Sequence, residues 1–86
     1  MEAVFTFNST RSAVEGERAL LAAGLPVRIA AKPTPLGADC GFSIFLDEGD
    51  LEAAKNILAK EGLDWADVWR KSRVGPGDAY SRLTAP

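Results

Sequence analysis

Hydrophobic and polar residues alternate in three short stretches of the chain, and each stretch predicts a β-strand. They are residues 3–7 (AVFTF), 27–31 (VRIAA) and 41–46 (GFSIFL). A period of two, with aromatic and β-branched residues, is typical of strands that bury one face against a core. We therefore expect a sheet of at least three strands.

Two further stretches, one that ends before Gly24 and one that ends near residue 61, carry small and apolar residues at helical spacing and predict α-helices. The first helix should end just before Gly24, which suits the position that follows a helix C-terminus. Ser9, Thr10 and Ser12 are all suitable N-caps, and the sequence leaves the choice between them open. A second helix is expected to end near residue 61.

The order of these segments predicts an α+β domain. Strand, helix, two strands and helix are followed by residues 65–70, which suit either a last strand or a short helical turn. This order is that of the ferredoxin-like split βαβ fold (β-α-β-β-α-β), an antiparallel sheet with two helices on one face. Residues 1–70 would form this single domain. Gly, Pro, Ser and Asp are frequent in residues 71–86, for which we expect a flexible or loosely packed C-terminal tail.

The composition excludes several kinds of chemistry. The chain has no histidine and one cysteine, so it can form neither a Ser-His or Cys-His catalytic pair nor an internal disulfide. A structural zinc site needs about four Cys or His ligands, so we expect no metal and no cofactor. The formal net charge of −2 gives no reason to expect nucleic acid. No stretch resembles a signal peptide or a membrane span. We expect a cytoplasmic protein that is not an enzyme by itself.

The single cysteine, Cys40, lies between a proline-containing loop and the third strand. In the split βαβ order the third strand runs antiparallel beside the first, so Cys40 should lie near Ser9 and Thr10, where the first helix begins. The unpaired N–H groups of a helix start favour an anion, and therefore the nucleophilic thiolate form of cysteine. Lys32 reaches the same edge, where its positive charge would act in the same direction.

The neighbours of Cys40 have different expected effects. Gly41 has no side chain, which would let a partner approach the sulfur closely. The carboxylate of Asp39 would disfavour a thiolate if it pointed the same way, or it closes the loop instead. Period two also places Cys40 on the apolar face of Phe42 and Ile44, where a free cysteine often acts as a small hydrophobic residue. The residues alone leave open whether the thiol is structural or reactive.

The ordered set of these features resembles the family of selenium/sulfur carrier-like proteins. The resemblance rests on FTFNSTRSAVEGERALLAAGLPVRI followed by PTPLGADCGFSIFL, and it covers about residues 4–62. The positions that match the family pattern are Ala13, Glu17 and Leu20 in the first helix, Gly24 before the second strand, and Cys40 with Gly41 at the third strand.

The resemblance implies that Cys40 carries sulfur or selenium as a persulfide or selenenylsulfide, while donor and acceptor proteins supply the remaining chemistry. The residues expected to surround it are Ser9, Thr10, Lys32, Asp39 and Gly41. The alternative is a binding or regulatory module with a structural cysteine, dimerising through the sheet face that the helices leave open. Phe45, alone or with Phe5, is expected on that face, and an exposed aromatic patch there would favour either a homodimer or a cover supplied by the C-terminal tail. A metallochaperone-like role, a third alternative, would need thiolates from two chains.

Overall fold

The structure, a computed structural model, describes residues 1–37, 40–75 and 77–83. Asp39, one of the predicted site residues, lies outside the described residues. The elements in chain order are β1 (Glu2–Thr6), α1 (Thr10–Ala22), β2 (Arg28–Ala31), β3 (Phe42–Asp47), a 3₁₀ turn (Glu48–Asp50), α2 (Leu51–Lys60), β4 (Asp67–Val74) and β5 (Gly77–Arg82).

The strands form one antiparallel five-stranded sheet in the order β2-β3-β1-β4-β5. Strand β1 lies at its centre, with Phe5 opposite Ile44 of β3 on one side and Val68 of β4 on the other. The α+β class and the antiparallel sheet with two helices are therefore confirmed. The element order differs from the predicted β-α-β-β-α-β because a fifth strand follows β4.

The C-terminal part of the described chain departs from the sequence-based expectation. Residues 71–74 continue β4, and residues 77–82 pair with it as β5, where a flexible or loosely packed tail was expected. The turn between them uses Gly75 at a φ of 61°, a left-handed conformation that glycine adopts without strain. Strand β5 lies at the sheet edge and exposes most of its side chains, so it lacks the alternation of hydrophobic residues by which the other strands were predicted.

Both helices pack on one face of the sheet and form the main hydrophobic core. Leu20 of α1 and Leu58 of α2 are buried in the same cluster as Phe5 and Ile44. A Cβ atom added to Gly16 of α1 would lie only 3.3 Å from the Cδ1 atom of Ile44. The absence of a side chain therefore lets α1 lie close against β3 at this point. Neither helix of the described residues has the length and apolar character required to span a bilayer.

The opposite face of the sheet has a smaller core. Val4, Phe45 and Leu36 are buried together there, and Leu36 comes from the loop after β2. The guanidinium of Arg28 lies 4.4 Å from the centre of the Phe45 ring, and the ammonium of Lys71 lies 5.7 Å from it. Only 5% of Phe45 is exposed. Phe45 therefore does not supply the exposed aromatic surface expected on this face, where Trp69 and Tyr80 are half-buried.

Candidate functional site: the Cys40 corner

The single thiol lies where β1 ends, α1 begins and β3 begins. The backbone N–H of Cys40 donates a hydrogen bond to the carbonyl oxygen of Phe7, the residue that follows β1, over 3.3 Å. Helix α1 begins three residues further on, and its N-cap is Ser9. The Ser9 side chain accepts a hydrogen bond from the backbone N–H of Ser12 at 3.1 Å. Antiparallel pairing of β1 with β3 thus brings Cys40 to the start of α1.

The sulfur of Cys40 has two polar contacts with described residues. Its thiol points to the hydroxyl oxygen of Thr10, the first residue of α1, over 3.9 Å. The backbone N–H of Phe42 donates to the sulfur over 3.3 Å. A backbone donor directed at sulfur stabilises negative charge there, and the first turn of α1 contains no acidic residue that would oppose it. The sulfur thus accepts a hydrogen bond from the backbone of Phe42, while the thiol donates to the Thr10 hydroxyl.

Cys40 is nearly buried, with 3% of its surface exposed, and it belongs to the core cluster beneath the helices. The residues around it are nevertheless at the surface. Ser9, Thr10 and Gly41 are exposed, and Phe42 is 43% exposed although it is a large hydrophobic residue. A Cβ atom added to Gly41 would meet no atom of the described residues within 4 Å. The sulfur therefore lies just beneath exposed residues.

The other predicted site residues have different roles at the Cys40 corner. The backbone N–H of Lys32 donates to the carbonyl of Gly41 at 2.8 Å and joins the two ends of the loop that precedes Cys40. Gly41 follows Cys40 in the chain, and Thr10 contacts the sulfur through space. Ser9 acts as the N-cap of α1. Within the described residues, no group of three or more Cys, Asp or Glu side chains is placed to hold a metal ion.

Sequence reasoning missed two backbone groups that define the corner. The carbonyl of Phe7 anchors the backbone of Cys40, and the N–H of Phe42 contacts the sulfur. Every residue type has the same main-chain groups, so the sequence does not mark those that make such contacts. Only the position of Phe42, two residues after the cysteine, could have indicated the contact between its N–H and the sulfur. The hydrogen bond from Cys40 to the Phe7 carbonyl follows from the pairing of β1 with β3. It could be predicted only once the register of these two strands was known.

The fold and the Cys40 corner together define the class of protein: a small α+β protein with one cysteine held against the first turn of a helix. The chain belongs to the family described as "Putative Se/S carrier protein-like", whose model matches residues 2–70. The matched part runs from β1 into β4 and includes the whole Cys40 corner, whereas β5 lies beyond it. No curated protein and no solved structure matches the chain. The family predicted from the sequence is therefore confirmed.

Proposed function

We propose that this protein carries sulfur or selenium on Cys40 as a persulfide or selenenylsulfide and passes the atom between partner proteins. The observation that carries the proposal is the position of the lone thiol in a chain of this family. Its sulfur receives the Phe42 N–H and lies against the first residue of α1. The thiolate is the form of cysteine that attacks sulfur, and the Phe42 N–H is a donor that can hydrogen-bond to a negatively charged sulfur atom.

The transfer needs no other group in the chain. In loading, the Cys40 thiolate attacks the outer sulfur of a donor persulfide, so one S–S bond forms as another breaks and the donor leaves as a thiolate. In delivery, a nucleophile of the acceptor attacks the same outer sulfur, and Cys40 leaves as a thiolate. Neither step changes the total number of electrons, so no oxidant or reductant is required. A selenium atom bound to the donor sulfur would follow the same path.

The exposed surface around Cys40 is where partners would dock. Phe42 offers an exposed aromatic side chain, and Gly41 offers backbone with no side chain in front of it. Hydrophobic contact with Phe42 would bring the donor sulfur beside the thiol, while Ser9 and Thr10 lie at the polar side of the same corner. Because only 3% of Cys40 is exposed, loading would require a small local shift that opens the sulfur.

A second candidate is a binding or regulatory module in which Cys40 is a structural core residue. Its burial among the core residues of the helix-covered face favours this candidate. The two candidates differ in the chemistry of the native thiol. A carrier must expose a reactive sulfur while the protein remains folded, whereas a structural cysteine reacts only as fast as the protein unfolds.

The test is loading from a persulfide donor, followed by intact-mass measurement of the native protein. We expect a mass increase of one sulfur atom for the wild type and none for Cys40→Ser, and a thiol reductant should remove the added mass. Alkylation of native and denatured protein across a range of pH provides the second measurement. A native thiol that stays unmodified until the protein is unfolded would refute the carrier function and leave the binding module.

A further inference from the structure

Strand β5 presents an unpaired backbone edge in the described part of the sheet. It is the last strand in the order β2-β3-β1-β4-β5. The backbone N–H of Leu83 donates to the carbonyl of Val68 at 2.7 Å, in register with the β4–β5 ladder. Hydrogen-bonded pairs alternate along an antiparallel ladder. Residues 77, 79 and 81 therefore point their backbone groups toward β4, and Asp78, Tyr80 and Arg82 point theirs outward.

The three outward residues form a pattern that is complementary to itself. Asp78 and Arg82 carry opposite charges and are placed symmetrically on either side of Tyr80. Their side chains lie on the sheet face away from the helices and are 38% and 56% exposed. If a second β5 ran antiparallel with Tyr80 opposite Tyr80, each Asp78 would face an Arg82 of the other copy. Opposite charges directly across a strand pair stabilise it, and like charges destabilise it.

We propose that two copies of this chain associate through β5 in this register, forming one continuous ten-stranded sheet with a two-fold axis at Tyr80. The outward backbone groups would then exchange about six hydrogen bonds, because all three facing pairs are of the hydrogen-bonded kind. This inference does not depend on the proposed carrier function, since no residue of the Cys40 corner takes part.

Other registers of β5, and pairing through the β2 edge, would bring fewer complementary residues together. Matching of outward backbone groups allows the register to shift only in steps of two residues. A shift of one step faces the charged residues with Tyr80 and shortens the ladder. A shift of two steps places Asp78 opposite Asp78, or Arg82 opposite Arg82. The other sheet edge, β2, has four residues, and its outward residues Ile29 and Ala31 carry no charge.

Existing contacts leave the two charged side chains available for this role. Asp78 lies 3.9 Å from Lys71, and Arg82 lies 3.7 Å from Asp67, both at the long end of ion-pair distances. Exposed pairs of this kind contribute little to stability. In the dimer Asp78 would lie between two arginines, Arg73 across β4–β5 and the partner copy's residue 82 across the new ladder.

Charge reversal with complementation tests the proposal by sedimentation equilibrium. Each of Asp78→Arg and Arg82→Asp turns both charge pairs of the symmetric dimer repulsive, so each should raise the dimer dissociation constant at least about tenfold. Asp64→Arg, which makes the same charge change at an exposed position outside β5, should leave it unchanged. The double variant Asp78→Arg/Arg82→Asp should recover much of the dimerisation that either single variant loses. Recovery should be incomplete because the double change also makes the contacts with Lys71 and Asp67 within each chain repulsive.

An equimolar mixture of the two single variants gives the sharpest result. Opposite charges then face each other only between unlike chains, so a one-to-one heterodimer should form although neither variant dimerises well alone. Circular dichroism and thermal unfolding of each variant confirm that it is folded. A wild-type chain that stays monomeric up to about 1 mM, where association free energy is already small, would overturn the proposal. So would a dimer that neither single reversal weakens, or a mixture that yields no heterodimer.

Discussion

Two buried hydroxyl groups on neighbouring strands provide a direct test of the packing described above. Thr6 of β1 and Ser43 of β3 lie directly opposite each other, and both are 0% exposed. The Thr6 hydroxyl accepts a hydrogen bond from the Asp67 N–H at 3.1 Å and lies 3.4 Å from the Asp67 carbonyl, to which it donates. Among the described residues, the Ser43 hydroxyl has no hydrogen-bond partner. The two sites therefore match in burial and differ in hydrogen bonding.

The expected effects on the free energy of unfolding have opposite signs. Burying a hydroxyl without a partner costs about 1–3 kcal/mol in proteins, so Ser43→Ala should remove that cost. After allowing for the small space left by one oxygen atom, we expect stabilisation by about 1 kcal/mol. Thr6→Val keeps the shape of the side chain but leaves the Asp67 N–H without its partner at 3.1 Å. That variant should lose about 1–3 kcal/mol.

Urea denaturation followed by circular dichroism measures both values, and thermal unfolding gives an independent check. For a domain of this size, 1 kcal/mol corresponds to a change of about 4–8 °C in Tm. An unchanged m-value would show that the substitutions act on stability rather than on the denatured state. If Ser43→Ala destabilised the protein by about 1 kcal/mol or more, the Ser43 hydroxyl would have to be hydrogen-bonded, and the contrast with Thr6 would be wrong.

Two further predictions concern charge and backbone conformation. Hydrogen bonds from Arg70 hold the pKa of the Glu48 carboxyl below its usual value; stability from this pair is therefore present above the pKa of Glu48 in the unfolded chain and is lost as the pH falls through the lower folded-state value. Urea midpoints measured from neutral to acidic pH should show this loss in the wild type and a smaller one in Glu48→Gln; equal slopes would contradict it. Gly24 ends α1 at a φ of 87°, so Gly24→Ala should cost about 1 kcal/mol or more, whereas Gly37→Ala, where no positive φ or close contact occurs, should be near neutral in the same assay.

The sequence predicted those elements whose hydrophobic residues recur with a regular period. Strands β1 and β3 begin and end within one residue of the predicted bounds, and both helices end within one residue of the predicted ends. The two strands bury side chains on both faces of the sheet, which their alternation alone did not indicate. The proximity of Cys40 to Thr10 followed from one further assumption, that β3 pairs antiparallel with β1. That pairing is part of the split βαβ arrangement and is present in the structure, although a fifth strand follows β4.

The parts that sequence reasoning missed depend on contacts without a periodic signal. Strand β5 is held by its backbone ladder to β4 and by contacts such as the Arg82 guanidinium 5.0 Å from the Trp69 ring, which hydrophobic alternation does not reveal. Leu36 covers Phe45 and Val4 from within a loop, so the face expected to be open is partly closed. The burial of Cys40 was likewise undecided by composition, since both a reactive and a structural cysteine fit the same alternation.

The proposed β5 dimer limits what the two Cys40 thiols can do together. The Cys40 corner lies at the β3–β1 side of the sheet, and β5 lies at the far edge. In a dimer paired through β5, seven strand-to-strand steps would separate β3 from its copy, a distance of about 33 Å at the usual strand spacing. The two thiols of such a dimer could neither form a disulfide with each other nor share a metal ion, since both need sulfur atoms within a few ångströms. A β5-paired dimer therefore argues against the metallochaperone-like role and leaves each Cys40 corner free to meet its own partner protein.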